Sequence, residues 1–205
     1  MMLILCGKSG SGKDAMTNHI LNTQEDVEKI VSDTSRPMRE GEVDGREYNF
    51  SSKENFLKGI ENGDFIEYRA YNTLVDGIPD EWYYGTKKFE PIYDKVLIAI
   101  KDLEGAKVLK DYCEEIGENC ECVLVEVPDD IREERAKKRG SFNQIEWDRR
   151  LEADALDFSQ EKKDAVVDRI VVNDGTYSLE TVALMCFAPA RDVIDCYKKD
   201  NFDLD

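Results

Sequence analysis

The sequence predicts an α/β fold in which helices cover both faces of a mainly parallel sheet. Short apolar runs such as Met2–Cys6 and Val96–Ile100 alternate with longer amphipathic segments such as Leu103–Ile116. That rhythm is typical of strands joined by crossover helices. In addition, a glycine-rich loop, Gly7–Asp14, follows the first apolar run and leads into a helix. Together these observations predict a three-layer fold that begins with a strand, a loop and a helix.

The loop reads Gly7-Lys8-Ser9-Gly10-Ser11-Gly12-Lys13-Asp14, which predicts the phosphate loop of a P-loop NTPase. Its glycines allow backbone N–H groups to approach an anion closely, and the dipole of the following helix attracts the same anion. Lys13 occupies the position from which an ammonium reaches the β- and γ-phosphates of ATP. Asp14 replaces the usual hydroxyl ligand of Mg²⁺, and we expect its carboxylate to bind the ion directly or through water. The alternative is that Asp14 only caps the helix and leaves the metal to water and Asp102.

Composition limits the classes of partner. The 205 residues suit one α/β domain with inserted segments, and a net charge of -17 disfavours nucleic-acid polymers and anionic membranes. No apolar stretch approaches the roughly 20 residues of a membrane span, and Met1 leads directly into a strand, so we expect a cytoplasmic protein without a signal peptide. The six cysteines form no C-x-x-C pair, which favours reduced thiols.

The first half of the chain predicts a core strand pair and then an interruption. The loop leads into a helix from Lys13 to about Leu21, and Lys29–Ser32 reads as a second buried strand. The following segment is rich in turn residues and carries paired arginines. Further elements are a helix from Ser52 to about Asn62, opened by a Ser51/Glu54 capping box and burying Phe56, Leu57 and Ile60, and two strands, Phe65–Tyr71 and Trp82–Thr86, joined by a loop that contains Val75–Pro79.

The second half returns to the α/β rhythm. The pattern predicts strands at Val96–Ile100, Cys122–Val127 and Arg169–Val172. The predicted helices are Leu103–Ile116, Asp129–Arg139, Gln144–Lys163 and Leu179–Phe187. The acidic end from Asp195 to Asp205 is expected to be a loosely held tail.

One segment carries a resemblance that the phosphate loop alone could not. Ser32-x-x-x-Arg36-x-x-Arg39-x-Gly41-Glu42-x-x-Gly45-x-x-Tyr48-x-Phe50 resembles the nucleoside-monophosphate segment of guanylate kinases almost position for position. Phe65-Ile66-Glu67-Tyr68, Tyr84-Gly85-Thr86, Arg139-Gly140, Ile145-x-x-x-Arg149-Arg150-Leu151 and Ile170–Asp174 continue it along most of the chain.

The resemblance implies a division of the chain and a reaction. Residues 1–32, 91–128 and 164–190 would form the P-loop core, 33–90 the GMP-binding segment, 129–163 the lid and 191–205 the acidic tail. The implied enzyme is an ATP:GMP phosphotransferase that uses Mg²⁺ and converts GMP or dGMP to GDP or dGDP. Its partners would be nucleotides, not nucleic-acid polymers or membranes, and it would be a monomer or a weak homodimer.

The resemblance also assigns roles to residues, and the chemistry agrees with them. Glu67, Ser32 and Thr86 would read guanine, since a carboxylate accepts from N1–H and N2–H₂ while a hydroxyl donates to O6. A monophosphate dianion suits forked and hydroxyl donors, here Arg36, Arg39, Tyr48 and Tyr84. Charge developing during transfer would be stabilised by the cations Lys13, Arg39, Arg135, Arg139 and Arg150.

The chain departs from the family pattern at three places. Asp14 replaces the hydroxyl, Ile100 stands where the family usually has Asp, with Asp102 two residues later, and the Glu67–Thr86 stretch is several residues longer than in compact members. Two alternatives therefore stay open. One is a non-catalytic guanylate-kinase-like module that binds a phosphopeptide or another partner, although such modules typically lose the loop lysine and glycines. The other is a P-loop kinase for a different (deoxy)nucleotide.

Overall fold

The contacts between residues divide the protein into two compact units. The computed structural model describes residues 1–75, 78–138 and 142–202. One unit comprises Met1–Lys29 and Pro91–Asp205, and the other comprises Ile30–Glu90. In chain order the elements are β1 (Met2–Cys6), α1 (Lys13–Thr23), β2 (Val27–Lys29), β3 (Asp33–Thr34), β4 (Asn49–Phe50), α2 (Lys53–Glu61), β5 (Phe65–Val75), β6 (Ile78–Lys87), β7 (Val96–Ile100), α3 (Leu103–Ile116), β8 (Cys120–Glu126), α4 (Asp129–Lys138), α5 (Gln144–Asp157), α6 (Gln160–Val166), β9 (Arg169–Val172) and α7 (Leu179–Phe202).

The first unit is built on a parallel five-stranded sheet in the order β2-β7-β1-β8-β9. Helices α1 and α7 pack together on this sheet, and α3 packs with α6. All five residues of the central strand β1 are buried. Leu3 and Leu5 join the core cluster formed with Met16 of α1 and Phe187 of α7. Because successive strand residues point to opposite faces, such burial requires cover on both sides. The predicted α/β class is therefore confirmed.

Helix α3 shows how local sequence sets an element. Asp102 is its N-cap, and Oδ1 of that residue accepts from the backbone N–H of Gly105 at 2.7 Å. Gly117 ends the helix in a left-handed conformation with φ of 73°, which glycine adopts at low cost. Between them Leu109 is fully buried, and burying one leucine side chain stabilises a fold by roughly 2 kcal/mol.

The second unit contains a four-stranded sheet in the order β4-β3-β6-β5. Its long hairpin, β5–β6, pairs antiparallel from Phe65 and Lys87 outward to Val75 and Ile78. Helix α2 covers one face through Phe56, whose ring stacks on Phe65 at 4.4 Å and lies 5.6 Å from that of Tyr83. The opposite face of the hairpin carries Glu67, Tyr84 and Thr86, by strand alternation.

Several predicted boundaries in the second unit and at its edge are wrong. The predicted buried strand Lys29–Ser32 lies earlier, at Val27–Lys29, where it pairs with β7 at the edge of the sheet and is only partly buried. Ser52 rather than Ser51 caps α2, accepting from Asn55 N at 3.1 Å. Leu57 is 37% exposed, and Gly59 lies in the buried face beside Phe56 instead.

The predicted loop between β5 and β6 also proves different. The extra residues prolong both strands of the hairpin, so that Leu74 still pairs with Pro79. Thr73, Val75 and Ile78 are β-branched residues that suit a strand, but Asp76, Gly77 and Pro79 among them are typical of a turn, which is why the sequence predicted a loop.

Differences at the C-terminal end concern helix breaks. The predicted helix from Gln144 to Lys163 is interrupted, since Ser159 takes an extended conformation as the N-cap of α6. Helix α7 runs through Pro189 to Phe202, so the segment from 191 onward begins as helix rather than as a loose tail. Arg191 supports these turns by donating to the Glu25 carbonyl at 3.0 Å and pairing with Asp195 at 3.0 Å. None of the helices among the described residues is long and apolar enough to span a membrane.

Candidate active site

The loop between β1 and α1 needs glycine at two positions. A Cβ atom at Gly7 would lie 2.6 Å from the carbonyl oxygen of Val125, closer than real side chains approach. Gly12 is the N-cap of α1 with φ of 96°, a left-handed conformation that glycine adopts without strain. Since the first N–H groups of a helix have no partner within it, the loop and the start of α1 offer donors that are suited to an anion.

The carbonyl groups of this loop accept hydrogen bonds from side chains. Lys13 Nζ donates to the carbonyl of Gly7 at 2.5 Å and to that of Lys8 at 3.2 Å. Arg132 Nε donates to the Ser9 carbonyl at 2.8 Å. These three carbonyls are thus held by two cationic side chains.

Two further residues complete the set. An Arg135 nitrogen lies 3.4 Å from the Gly10 carbonyl, and Asn173 Nδ2 donates to the Ser11 carbonyl at 3.0 Å. Arg135 also donates to Asn173 Oδ1 at 3.1 Å. Every carbonyl from Gly7 to Ser11 therefore has a side-chain donor, an arrangement that suits a loop whose N–H groups bind an anion.

Lys13 and Asp14 supply the charges at the start of α1. Burial lowers the pKa of the Lys13 ammonium, and the neighbouring Asp14 carboxylate partly offsets this by favouring the charged form. Asp14 is exposed in the first helical turn, where the helix dipole favours a carboxylate. The N-cap of α1 is Gly12, so Asp14 lies inside the first turn rather than at the capping position.

The structure describes the three predicted lid arginines to different extents. Arg135 of α4 reaches the loop, as its bonds to Gly10 and Asn173 show. Arg139 lies outside the described residues, and for Arg150 only the backbone within α5 is described. Lys8 of the loop lies 3.7 Å from Asp129.

A cavity of about 350 Å³ adjoins the loop. Gly12, Arg135 and Asn173 contribute its polar side, and Tyr177 and Leu179 contribute apolar surface. Its size and mixed lining are suited to a small aromatic group bound next to the phosphates.

The second unit brings together two of the predicted base-reading residues. Glu67 pairs with Thr86 across the β5–β6 hairpin. The Thr86 hydroxyl donates to Glu67 Oε1 at 2.7 Å, and Thr86 is fully buried. Ser32 immediately precedes β3, and its carbonyl accepts from Asn49 N at 3.0 Å. The hairpin extension therefore leaves the Glu67–Thr86 register intact.

Arg36 is held rigidly within the predicted phosphate clamp. It is buried, and it donates to Glu42 Oε1 and to the Pro37 carbonyl, each at 2.7 Å. Its guanidinium lies 5.5 Å from the ring centres of both Tyr48 and Phe50. The hydrogen bond to Glu42 raises the pKa of Arg36, and the same contact lowers the pKa of Glu42.

The other clamp residues surround this arginine. The rings of Tyr48 and Tyr84 meet edge to face at 5.6 Å, and the Tyr84 hydroxyl interacts with Arg36. Tyr71, the last residue of β5 before the hairpin extension, packs against Tyr84 with ring centres 5.5 Å apart. Arg39 is exposed, and only its backbone N–H is engaged by Glu42, at 2.7 Å, in the described contacts. The positive charge of Arg39 also helps to lower the pKa of the Glu42 carboxyl, although less than the hydrogen bond from Arg36 does.

Comparison with known proteins identifies the family of this chain. A guanylate kinase family model matches residues 1–182. The chain belongs to the guanylate kinase family. The guanylate kinase of Helicobacter pylori is 35% identical over 158 residues, which cover 73% of this chain and 69% of that protein. That of Helicobacter hepaticus is 36% identical over 116 residues, and the match covers 54% of each chain.

The solved structures support the fold of this guanylate kinase family member. The guanylate kinase of Anaplasma phagocytophilum superposes with a TM-score of 0.58 at 19% identity, covering 100% of this chain and 96% of the other. The family predicted from the 32–50 segment is confirmed. The roles of individual residues stay predictions.

Sequence reasoning overlooked three residues that the structure places at these sites. Arg132 was one of many charges in a helix with no apolar stripe, and nothing in the pattern marked it as buried. Glu42 was part of the family motif, but its partner Arg36 could be found only in three dimensions. Asn173 likewise belonged to a recognised strand end, where its contact with the Ser11 carbonyl has no sequence signal.

Proposed function

We propose that this protein is an ATP:GMP phosphotransferase that converts GMP, or dGMP, to the diphosphate. The observation that carries the proposal is the Glu67–Thr86 pair, joined at 2.7 Å on the sheet whose strand β3 ends two residues before Arg36. In that pair the Thr86 hydroxyl and the Glu67 carboxylate lie side by side, and guanine would replace their mutual hydrogen bond: the hydroxyl would donate to O6 while the carboxylate accepts from N1–H and N2–H₂. Guanine presents the complementary set, whereas adenine has no N–H at N1.

The acceptor phosphate would bind beside Arg36. Its guanidinium is already oriented by Glu42, so binding costs little side-chain entropy. Tyr48 and Tyr84 add hydroxyl donors, and the exposed Arg39 supplies a second forked cation.

The ATP phosphates would bind the loop of the first unit. Loop N–H groups and the Lys13 ammonium would hold the β- and γ-phosphates, while Arg135 would add positive charge from α4. The cavity lined by Tyr177 and Leu179 suits the adenine ring. An oxygen of the GMP phosphate would attack the γ-phosphorus in line, and the bond to the leaving ADP oxygen would break in the same step.

The residues present also fit Mg²⁺. The described residues contain no group of three or more side chains that could hold a metal, which agrees with an ion held mainly by nucleotide oxygens and water. Asp14 would add one carboxylate oxygen next to Lys13. Asp102 is engaged as the N-cap of α3 and is a weaker candidate. Bound Mg²⁺ neutralises charge on the phosphates during transfer.

A coupled assay of ADP release tests the proposal. We expect faster turnover with GMP and dGMP than with any other nucleoside or deoxynucleoside monophosphate. Lys13→Ala should abolish this turnover. Turnover with a different nucleotide alone would favour the second candidate, a kinase for another acceptor, which the unusually long β5–β6 hairpin permits. ATP binding without any transfer would favour a binding module.

The setting of the reaction is part of the proposal. We propose that the partners are nucleotides only, that the protein is a monomer or weak homodimer, and that it works in the cytoplasm. All five cysteines whose side chains are described are free thiols, as expected in a reducing compartment.

A further inference from the structure

Arg132 of α4 is the largest fully buried side chain in the part of the chain that the structure describes. A buried guanidinium is costly unless its N–H groups are paired. One terminal nitrogen donates to Asp129 at 2.5 Å, and the other contacts Asp154 of α5. Trp147 of the same helix places its ring 5.4 Å from the guanidinium carbon.

The third guanidinium nitrogen of Arg132, Nε, bonds to the loop instead of to α4 or α5. Nε donates to the carbonyl of Ser9 at 2.8 Å. Since the guanidinium is planar, the carboxylates that fix the two terminal nitrogens also fix the direction of Nε–H. The Ser9 carbonyl is thus bound by a group whose orientation is set by α4 and α5.

Stability alone is a poor explanation for arginine at this position. Replacing a buried ion pair by apolar residues of similar size is often neutral or stabilising. What an apolar residue could not supply is a donor for Ser9. Without one, that carbonyl would lose its partner and the Ser9–Gly10 peptide could rotate.

We propose that Arg132 is a positioning residue for ATP binding, which holds the Ser9 carbonyl and thereby keeps the neighbouring loop N–H groups directed at the phosphates. Asp154 and Trp147 orient Arg132, so they link α5 to the loop geometry. The inference rests on the proposed use of the loop for ATP. Arg132 itself touches no reacting atom.

The test removes the ion pair without stranding a charge. In Arg132→Met/Asp154→Leu both buried partners become apolar, while Asp129, which is 55% exposed and 3.7 Å from Lys8, keeps another cation. We expect ATP binding by calorimetry to weaken roughly tenfold, as for loss of a charged hydrogen-bond donor. GMP binding and the melting temperature should stay close to wild type, and hydrogen exchange of the loop amides should accelerate.

A matched control exists at β9. Arg169 pairs with Glu121 at 2.8 Å and donates to the carbonyls of Met185 and Cys186, but none of these residues belongs to the loop. Arg169→Met/Glu121→Leu should leave ATP binding unchanged. Equal weakening of ATP binding in this control would overturn the proposal, as would unchanged ATP binding in the Arg132→Met/Asp154→Leu protein.

A conservative variant decides the matter if the double variant fails to fold. Arg132→Lys keeps the charge opposite Asp154, but one ammonium cannot reproduce the fork. It should fold and bind ATP several-fold more weakly, and wild-type affinity would overturn the proposal. A wild-type protein that binds ATP without phosphorylating GMP would refute the proposed function alone. One that binds no ATP would overturn both.

Discussion

Substitution of Glu67 by glutamine tests how the acceptor base is chosen. In the structure one oxygen, Oε1, accepts from the Thr86 hydroxyl at 2.7 Å. The other oxygen is the acceptor proposed for guanine N–H groups. Glu67→Gln puts an amide donor in this pair, so that either the amide N–H faces the guanine N–H groups or, with the amide turned over, the Thr86 hydroxyl loses its oxygen acceptor.

The size of the effect follows from that mismatch. A buried polar group left without its partner costs about 1–3 kcal/mol, which corresponds to a fall of roughly 5- to 150-fold in kcat/KM for GMP. The ATP dissociation constant should not change, since the loop belongs to the other unit. Steady-state kinetics with GMP and calorimetry with ATP measure the two quantities separately.

Two further variants sharpen the interpretation. Glu61→Gln, on the exposed side of α2, makes the same chemical change away from the sheet face and should have no effect. Thr86→Val removes the buried hydroxyl at nearly constant volume, and its cost should not add to that of Glu67→Gln, because each variant breaks the same hydrogen bond. Unaltered preference for GMP over AMP in Glu67→Gln would refute this account of base reading.

Three other predictions concern the phosphates. Arg39→Ala should raise the KM for GMP and lower kcat, roughly tenfold or more in kcat/KM, while the Glu42 bond to its backbone persists; a change confined to ATP parameters would reverse the assignment of the two phosphate sites. Asp14→Ser should stay active and show a shallower Mg²⁺ dependence of ATP binding by calorimetry, and equal dependence in both proteins would remove Asp14 from the metal site. Burial lowers the pKa of Lys13. ATP affinity should therefore fall as the pH is raised past this pKa and the ammonium loses its charge, and the fall should come at a lower pH than it would for an exposed lysine. Between the lowered pKa of folded Lys13 and the ordinary lysine pKa, the unfolded chain binds more protons than the folded protein does. The contribution of Lys13 to the free energy of unfolding should therefore rise with pH in this range. Lys13→Met should show neither the fall in ATP affinity nor the rise in stability.

The sequence was informative wherever one periodicity or one motif decided the outcome. The apolar runs at Met2–Cys6 and Val96–Ile100 could only be buried strands, and both are. The residue types of Asp102 and Gly117 are those expected at the two ends of a helix, and these residues cap α3. The 32–50 motif grouped Arg36 with Tyr48, and the structure brings the guanidinium within 5.5 Å of that ring, while their role in binding a phosphate stays a prediction.

Prediction failed where neighbours rather than local pattern decide. The β5–β6 extension has a turn-like sequence at Val75–Pro79, yet cross-strand pairing continues to Val75 and Ile78. Leu57 is apolar and still exposed, because α2 turns Phe56 and Gly59 to the sheet. A window of residues cannot contain the partner strand, so neither outcome was accessible from the pattern alone.

Arg132 and Arg135 show the same limit at the site itself. They are three residues apart on a helix in which most residues are charged, and no periodicity separates a solvent-facing arginine from a buried one. What distinguishes them is the set of acceptors that the loop and α5 provide: Ser9 and Asp154 for one, Gly10 and Asn173 for the other. A phosphate loop must bind an anion with its N–H groups while its carbonyls remain paired. In this chain that second requirement is met by side chains from α1, α4 and the end of β9, so the glycine motif alone does not specify the site.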